Sequence, residues 1–345
     1  MFKKILVSVV VLSTVGCAST TISTDVAQQI YSNPQLKRQL PKAQIMPSPQ
    51  HLSGKQMKAI VLDTEEKNEL AKMAFAGKAM SASIDNLLHK AGVDVVDRSI
   101  SGKVKNEILA YESSGNYDES SLSLADVAIL PIISSATFSY DFTEGYVAKN
   151  IITGKDTWVN PSCTFEAKIT GVAKRYELPS LKVSHQVDLF GINEIKRDTR
   201  NSSCRISTQE KQGLIAEAAK QAIRNHKQDI QNKFSPKGYV TAYKVYDNTH
   251  YIKINIGKNR KLIEGTYVSF IKQIKSTDDL TGEINIDKMI TGEGEITNLI
   301  QDKASWVVVD AEVAVNLSLG DIAQIEFRKG WLDHVNDVSQ SIKSL

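Results

Sequence analysis

Three cysteines and six histidines are the residues most able to do chemistry in this 345-residue chain, and their spacing limits what that chemistry is. His51, His89, His185, His226, His250 and His334 are scattered, none at ligand spacing from another His or Cys, so no metal and no cofactor is expected. A Gly-x-Ser-x-Gly elbow, a P-loop and a Gly-x-Gly-x-x-Gly turn are all missing from the sequence. Gly292-Glu293-Gly294-Glu295 holds two carboxylates, but reads more simply as a solvated hairpin turn before Ile296. Asp97-Arg98 reads as a structural ion pair at a strand end rather than a charged pair in a cleft. The expectation is therefore a protein that is not an enzyme. Cys163 and Cys204 remain: in an oxidising compartment they form a disulfide, in a reducing one they are two buried thiols. A bond closing a loop of about 40 residues contributes roughly 4 kcal/mol in the chain-entropy model.

The N-terminus bears on the compartment. Met1-Phe2-Lys3-Lys4 is a positive start, Ile5 to Leu12 is almost wholly apolar, and Ser13-Thr14-Val15-Gly16 is small-residue rich before Cys17. The apolar run is far short of the roughly 20 residues that cross a bilayer as a helix. A small residue followed at once by cysteine resembles the lipobox of bacterial lipoproteins. That resemblance implies removal of residues 1–16, acylation of Cys17 and an export route that favours the Cys163–Cys204 disulfide. Ala18 after the cysteine resembles cargo sorted to the outer membrane, facing the periplasm.

Removing Lys3 and Lys4 from 42 basic residues leaves 40 against 39 acidic ones, a balance that gives no reason to expect a nucleic-acid partner. The chain that remains is too long for one ordinary core and predicts two domains. Residues 17–56, with Pro34, Pro41, Pro47 and Pro49 among Ser, Thr and Gln, read as a tether.

The elements follow from periodicity. Ala59-Ile60-Val61-Leu62 suits a strand buried on both faces, and Leu70, Met73, Ala74, Gly77, Met80, Ile84, Leu87 and Leu88 mark one long helix closed by Gly92. Val93–Arg98 is a second strand, Ser101–Tyr111 a helix, and Ala125–Ile133 a third strand running on through Phe142. Cys163–Tyr176 and Leu181–Phe190 alternate as strands. Ser207-Thr208-Gln209-Glu210 is a capping box opening a helix that runs towards Phe234. Residues 57–236 are thus a mixed sheet of about five strands with packed helices, α+β or α/β. Residues 237–329 change to short strands with no convincing helix, which predicts a small all-β barrel, and 330–345 form a polar tail.

This order, with Asp94-Val95-Val96-Asp97-Arg98 and Ala125-Asp126-Val127-Ala128-Ile129-Leu130, resembles the periplasmic domain of the curli-secretion channel family and the N-terminal domain of TolB. Ile254-Asn255-Ile256-Gly257 and Leu262-Ile263-Glu264-Gly265-Thr266-Tyr267-Val268 are similar to the SH3-like C-terminal module of the flagellar H-ring protein T. The resemblance implies a ring-forming, lipid-anchored assembly component of an envelope machine that contacts other envelope proteins. A lipoprotein activator of a cell-wall synthase and a secretion channel subunit are its alternatives. Channel strands need about 9–11 alternating residues, and neither Phe138–Ile152 nor Val183–Ile206 supplies a lipid-facing band, so a scaffold is favoured over a pore.

Overall fold

The computed structural model describes residues 20–49, 58–97, 101–115, 122, 125–149, 154–235 and 237–328; Cys17, the expected signal segment 1–16 and residues 330–345 lie outside the described residues. The fold is mixed α+β. The first unit is a six-stranded sheet in the order β4-β2-β5-β8-β9 with β3 also on β5: β2 Lys58–Val61, β3 Glu65–Glu66, β4 Asp94–Val95, β5 Val127–Thr143, β8 Ser162–Glu177 and β9 Lys182–Asp198. A separate small hairpin, β6 Tyr146–Lys149 with β7 Asp156–Val159, stands between β5 and β8.

β5 organises both faces. Val127, Ile129 and Ile133 point to one core, and Ala128, Leu130 and Ile132 to the other. A bulge at Ser134 breaks the pairing with β8 between Ile133 and Ser135. One extra residue inverts the alternation, so Ala136, Phe138 and Phe142 continue the first face on even numbers. Pro131 is tolerated in this inner strand because it falls between the short parallel partners, β2 ending opposite Ile129 and β3 starting opposite Ile132. Helices α3 (Ala76–Lys90) and α5 (Thr208–Asn225) cover the first face, and α4 (Ser101–Ser114) the second through Val104 and Ile108.

Two helices expected to be continuous are each broken. The Leu70–Leu88 run divides into α2 (Glu69–Met73) and α3, with Phe75 left-handed at φ 52° between them. The Glu66 carboxylate accepts the Gly77 N–H at 2.7 Å, and a Cβ on Gly77 would lie 2.7 Å from Glu66 Cδ, so the glycine makes room for the acid that opens α3. The second break, at His226, separates α5 from α6 (Lys227–Phe234). There the Phe190 N–H, on the outer edge of β9, donates to His226 Nε2 at 3.3 Å, and Asn225 Nδ2 donates to the Phe190 carbonyl at 3.1 Å. The predicted capping box is present on both sides, Ser207 with Glu210. The strand expected over Val93–Arg98 is reduced to Asp94–Val95.

The second unit is a closed antiparallel barrel. β10 (Lys237–Tyr246), β11 (Thr249–Ile254), β14 (Ser305–Val309), β13 (Ile284–Ile300), β12 (Tyr267–Thr277) and β15 (Ile322–Glu326) pair in that order, and β15 returns to β10. Val240, Ile252, Ile254, Val268, Phe270, Ile296, Val307 and Ile325 fill it. Asp247 and Asn248, at φ 47° and 58°, make the tight turn between β10 and β11. Gly292-Glu293-Gly294-Glu295, expected as a turn, lies inside β13 at a bulge opposite Phe270 and Ile271. The turn comes later, because β12 and β13 pair on to Thr277 and Ile284 as an arm whose Leu280, Ile284, Ile286 and Ile290 are exposed. A helix not anticipated in this region, α7 (Ala311–Asn316), bridges β14 and β15.

The proposed tether also behaves differently. Residues 20–43 are strapped to the barrel: α1 (Thr24–Ser32) buries Ile30 against Tyr251, Leu299 and Trp306, and β1 (Lys37–Arg38) adds to β10. Lys244 Nζ donates to the carbonyls of Ile30 and Asn33 at 2.6 and 3.1 Å, placing a cation on the last turn of α1. The prolines and polar residues that suggest a linker leave Ile22, Val26, Ala27 and Ile30 on one helix side, enough to dock it.

Candidate functional site

A cleft of about 980 Å³ opens between the helical layer of the first unit and the barrel. Its walls come from the C-terminal ends of α3 and α5, from α6, from the loop leading into β12 and from the end of β15. Gly92, at φ +79°, lets the end of α3 abut that loop, since a Cβ there would sit 2.2 Å from the Arg260 carbonyl oxygen. Lys261 Nζ donates to the His89 carbonyl at 2.6 Å across the same joint. On the far side Asn232 clasps Phe327, its Nδ2 donating to the Phe327 carbonyl at 3.1 Å and its Oδ1 accepting the Phe327 N–H at 2.7 Å.

The lining is cationic: Lys90, Arg224, Lys227, Arg260, Lys261 and Arg328 share it with two carboxylates, Glu264 and Glu326. Arg224 is paired with Glu217, and Arg328 with Glu293 and Glu326 while stacking 3.9 Å over the Tyr267 ring. Arg260 is 8% exposed; burial pulls its pKa below the ordinary arginine value, with the charge of Asp94 acting against that shift. At the rim, the hydroxyls of Thr20 and Thr21 donate to Glu264.

A second cluster lies where α6 hands over to β10. Arg175, 5% exposed, donates to the Lys233 carbonyl at 2.8 Å, pairs with Glu177 at 3.1 Å and lies over the Phe234 ring. Beside it, burial foremost and then the charges of Arg175, Lys233 and Lys237 push the His185 pKa down to about 4, against a smaller pull from Glu177. A histidine neutral in the fold is protonated first in the unfolded chain, so its stabilising effect is complete above its ordinary value of about 6.5 and is lost as pH falls towards 4. Melting temperature should drop between pH 7 and pH 4.5, and His185→Gln should flatten that drop; an unchanged slope in the variant would refute the assignment.

The residues singled out in the sequence fare unequally. Cys163 and Cys204 are bonded, Cα atoms 5.5 Å apart, both buried, tying the start of β8 to the segment leading into α5. Asp97 is described, while Arg98, His51 and His334 lie outside the described residues. Among the described residues no three His, Cys, Asp or Glu side chains gather as a metal site, and no helix is long and apolar enough to cross a membrane. Lys90, Lys227 and Arg260 were not anticipated, since they come from segments far apart in sequence.

No family model matches the chain, and no curated protein does. Solved structures similar to it include protein CT253 from Chlamydia trachomatis, at 12% identity over 52% of this chain and 98% of that one, TM-score 0.26. A minor lipoprotein from Acinetobacter baumannii overlaps at 8% identity over 52% and 93%, TM-score 0.26. The PelC dodecamer from Paraburkholderia phytofirmans overlaps at 14% identity over 52% and 96%, TM-score 0.20. At these scores the overlaps carry no functional argument.

Proposed function

We propose that this chain is a non-enzymatic lipoprotein, anchored through Cys17 to the periplasmic face of the outer membrane, that assembles with copies of itself as part of an envelope machine. The observation that carries the reading is the N-terminal sequence: positive start, short apolar run, Gly16 and then Cys17. A buried disulfide between Cys163 and Cys204 supports an oxidising compartment. Head-to-tail assembly needs two different patches on one chain. Two are available, the arm with exposed Ile284, Ile286 and Ile290 and the β6–β7 hairpin with exposed Tyr146, Val147 and Trp158. The element order of the first unit and the closed barrel after it support the finer reading, a curli-channel-like domain followed by an SH3-like module.

Membranes from cells making the native chain and a Cys17→Ser variant test this. The native chain should fractionate with membrane, carry acyl mass on a new N-terminal Cys17 and, extracted in detergent, give one closed oligomer by native mass spectrometry. The variant should carry no acyl mass and should keep Met1. An acylated chain that stays monomeric would favour the synthase-activator reading instead, and an intact Met1 on the native chain would sink the anchor.

A further inference from the structure

The inference rests on the anchor reading above and concerns what the cleft is for. Cys17 lies three residue steps before Thr20, a reach of roughly 10 Å at full extension. Thr20 and Thr21 are held on Glu264, a residue of the cleft rim. A lipid on Cys17 therefore brings the cleft to the bilayer surface, within the zone where phosphate headgroups lie.

Six basic residues share the cleft lining with two carboxylates. Helix C-termini carry about half a negative charge each, which offsets only part of Lys90 on α3 and of Arg224 on α5, the latter also paired with Glu217. Arg328 has its carboxylates. Lys261 gives one N–H to the His89 carbonyl and keeps others, Asp94 acts on Arg260, and Lys227 completes the basic lining beside Glu264. Lys90 and Lys227 are exposed members of the lining, while Arg260 is a buried one. A volume of about 980 Å³ is far more than one phosphate occupies and is the size of a pocket for a drug-sized ligand.

We propose that this cleft is a binding site for phosphate-bearing lipid headgroups of the membrane in which the chain is anchored. The headgroup phosphate meets Lys90, Lys227 and Lys261 at the mouth, and Arg260 sets a positive potential behind them. Point-charge attraction by lysine suits a mobile headgroup, since it demands no fixed geometry. The site gives the barrel a defined face towards the bilayer, which a lone acyl anchor does not.

The test uses residues 17–345 carrying Cys17→Ser, so that neither acylation nor the apolar run Ile5 to Leu12 plays a part, in flotation with vesicles. Vesicles containing phosphatidylglycerol should carry the protein, and phosphatidylcholine vesicles should not. Lys90→Glu with Lys227→Glu should weaken partitioning at least about tenfold, since each basic residue near an anionic surface contributes on the order of 1 kcal/mol. Lys275→Glu with Lys288→Glu, the same charge change on the arm, should leave most of it. Equal loss in both pairs would reduce the effect to net charge and overturn the site. Micromolar binding of inorganic phosphate or glycerol phosphate, abolished by the cleft pair without vesicle binding, would make the ligand a soluble phosphate and overturn the lipid. If Cys17 proves unacylated by mass while vesicle binding follows the cleft pair, the anchor reading fails and the site stands.

Discussion

Breaking the Cys163–Cys204 bond should lower the melting temperature of the first unit by on the order of 10 °C, at about 2–4 °C per kcal/mol for a unit of this size. The bond closes a loop of 41 residues, which in the chain-entropy model contributes roughly 4 kcal/mol by restricting the unfolded chain. Both cysteines belong to the core under α3 and α5, so replacing them also empties packed space. The bond secures the start of β8 to the stretch that enters the Ser207 capping box, and its loss should free that entry first. Thermal unfolding with and without reductant, and of Cys163→Ala with Cys204→Ala, measures the effect. Both thiols alkylated in native protein, with a melting point that ignores reductant, would show that the bond does not form.

Gly191→Val should be more damaging still. A Cβ at Gly191 would stand 2.2 Å from the Ala218 carbonyl oxygen and 2.3 Å from the Ala222 nitrogen, both backbone atoms of α5. No rotamer relieves a clash between backbones, so α5 must lift from β9 and uncover Leu214, Ala218 and Ala222. Overpacking of this kind costs about 3 kcal/mol or more. We expect a loss of soluble yield and early melting. Gly213→Ala, on the same helix with nothing within 4 Å of the new Cβ, serves as control and should keep or raise stability. If Gly191→Val melts with the wild type, α5 does not sit on β9 as described.

Much of this was legible in local pattern. Ser207 and Glu210 fix a helix start through two side chains three positions apart in one segment, and Asp247-Asn248 fix a turn through their tolerance of left-handed backbone. What sequence hid was long-range. The break at Phe75 depends on Glu66, a residue of another strand, reaching Gly77. The docking of residues 20–43 depends on Trp306 and Leu299 some 270 positions away, so a proline-rich stretch read as a tether. Gly292 looked like a turn because glycine marks bulges and turns alike. The cleft was least visible, because its lysines and arginines serve as ordinary solvated charges until α3, α6 and the β11–β12 loop are brought side by side.

The two side chains on Phe190 have a consequence for assembly. β9 is a 17-residue outer strand, and such a strand is an open template for a neighbour's backbone. With the Phe190 N–H held by His226 and its carbonyl by Asn225, an incoming strand meets an occupied rung near mid-length and cannot run in register past it. Copies of this chain therefore cannot fuse their sheets into one continuous ribbon along this edge. A ring built from it is a ring of separate folded bodies in contact through side chains, its number set by the angle between surfaces, and each body can leave without unravelling the next.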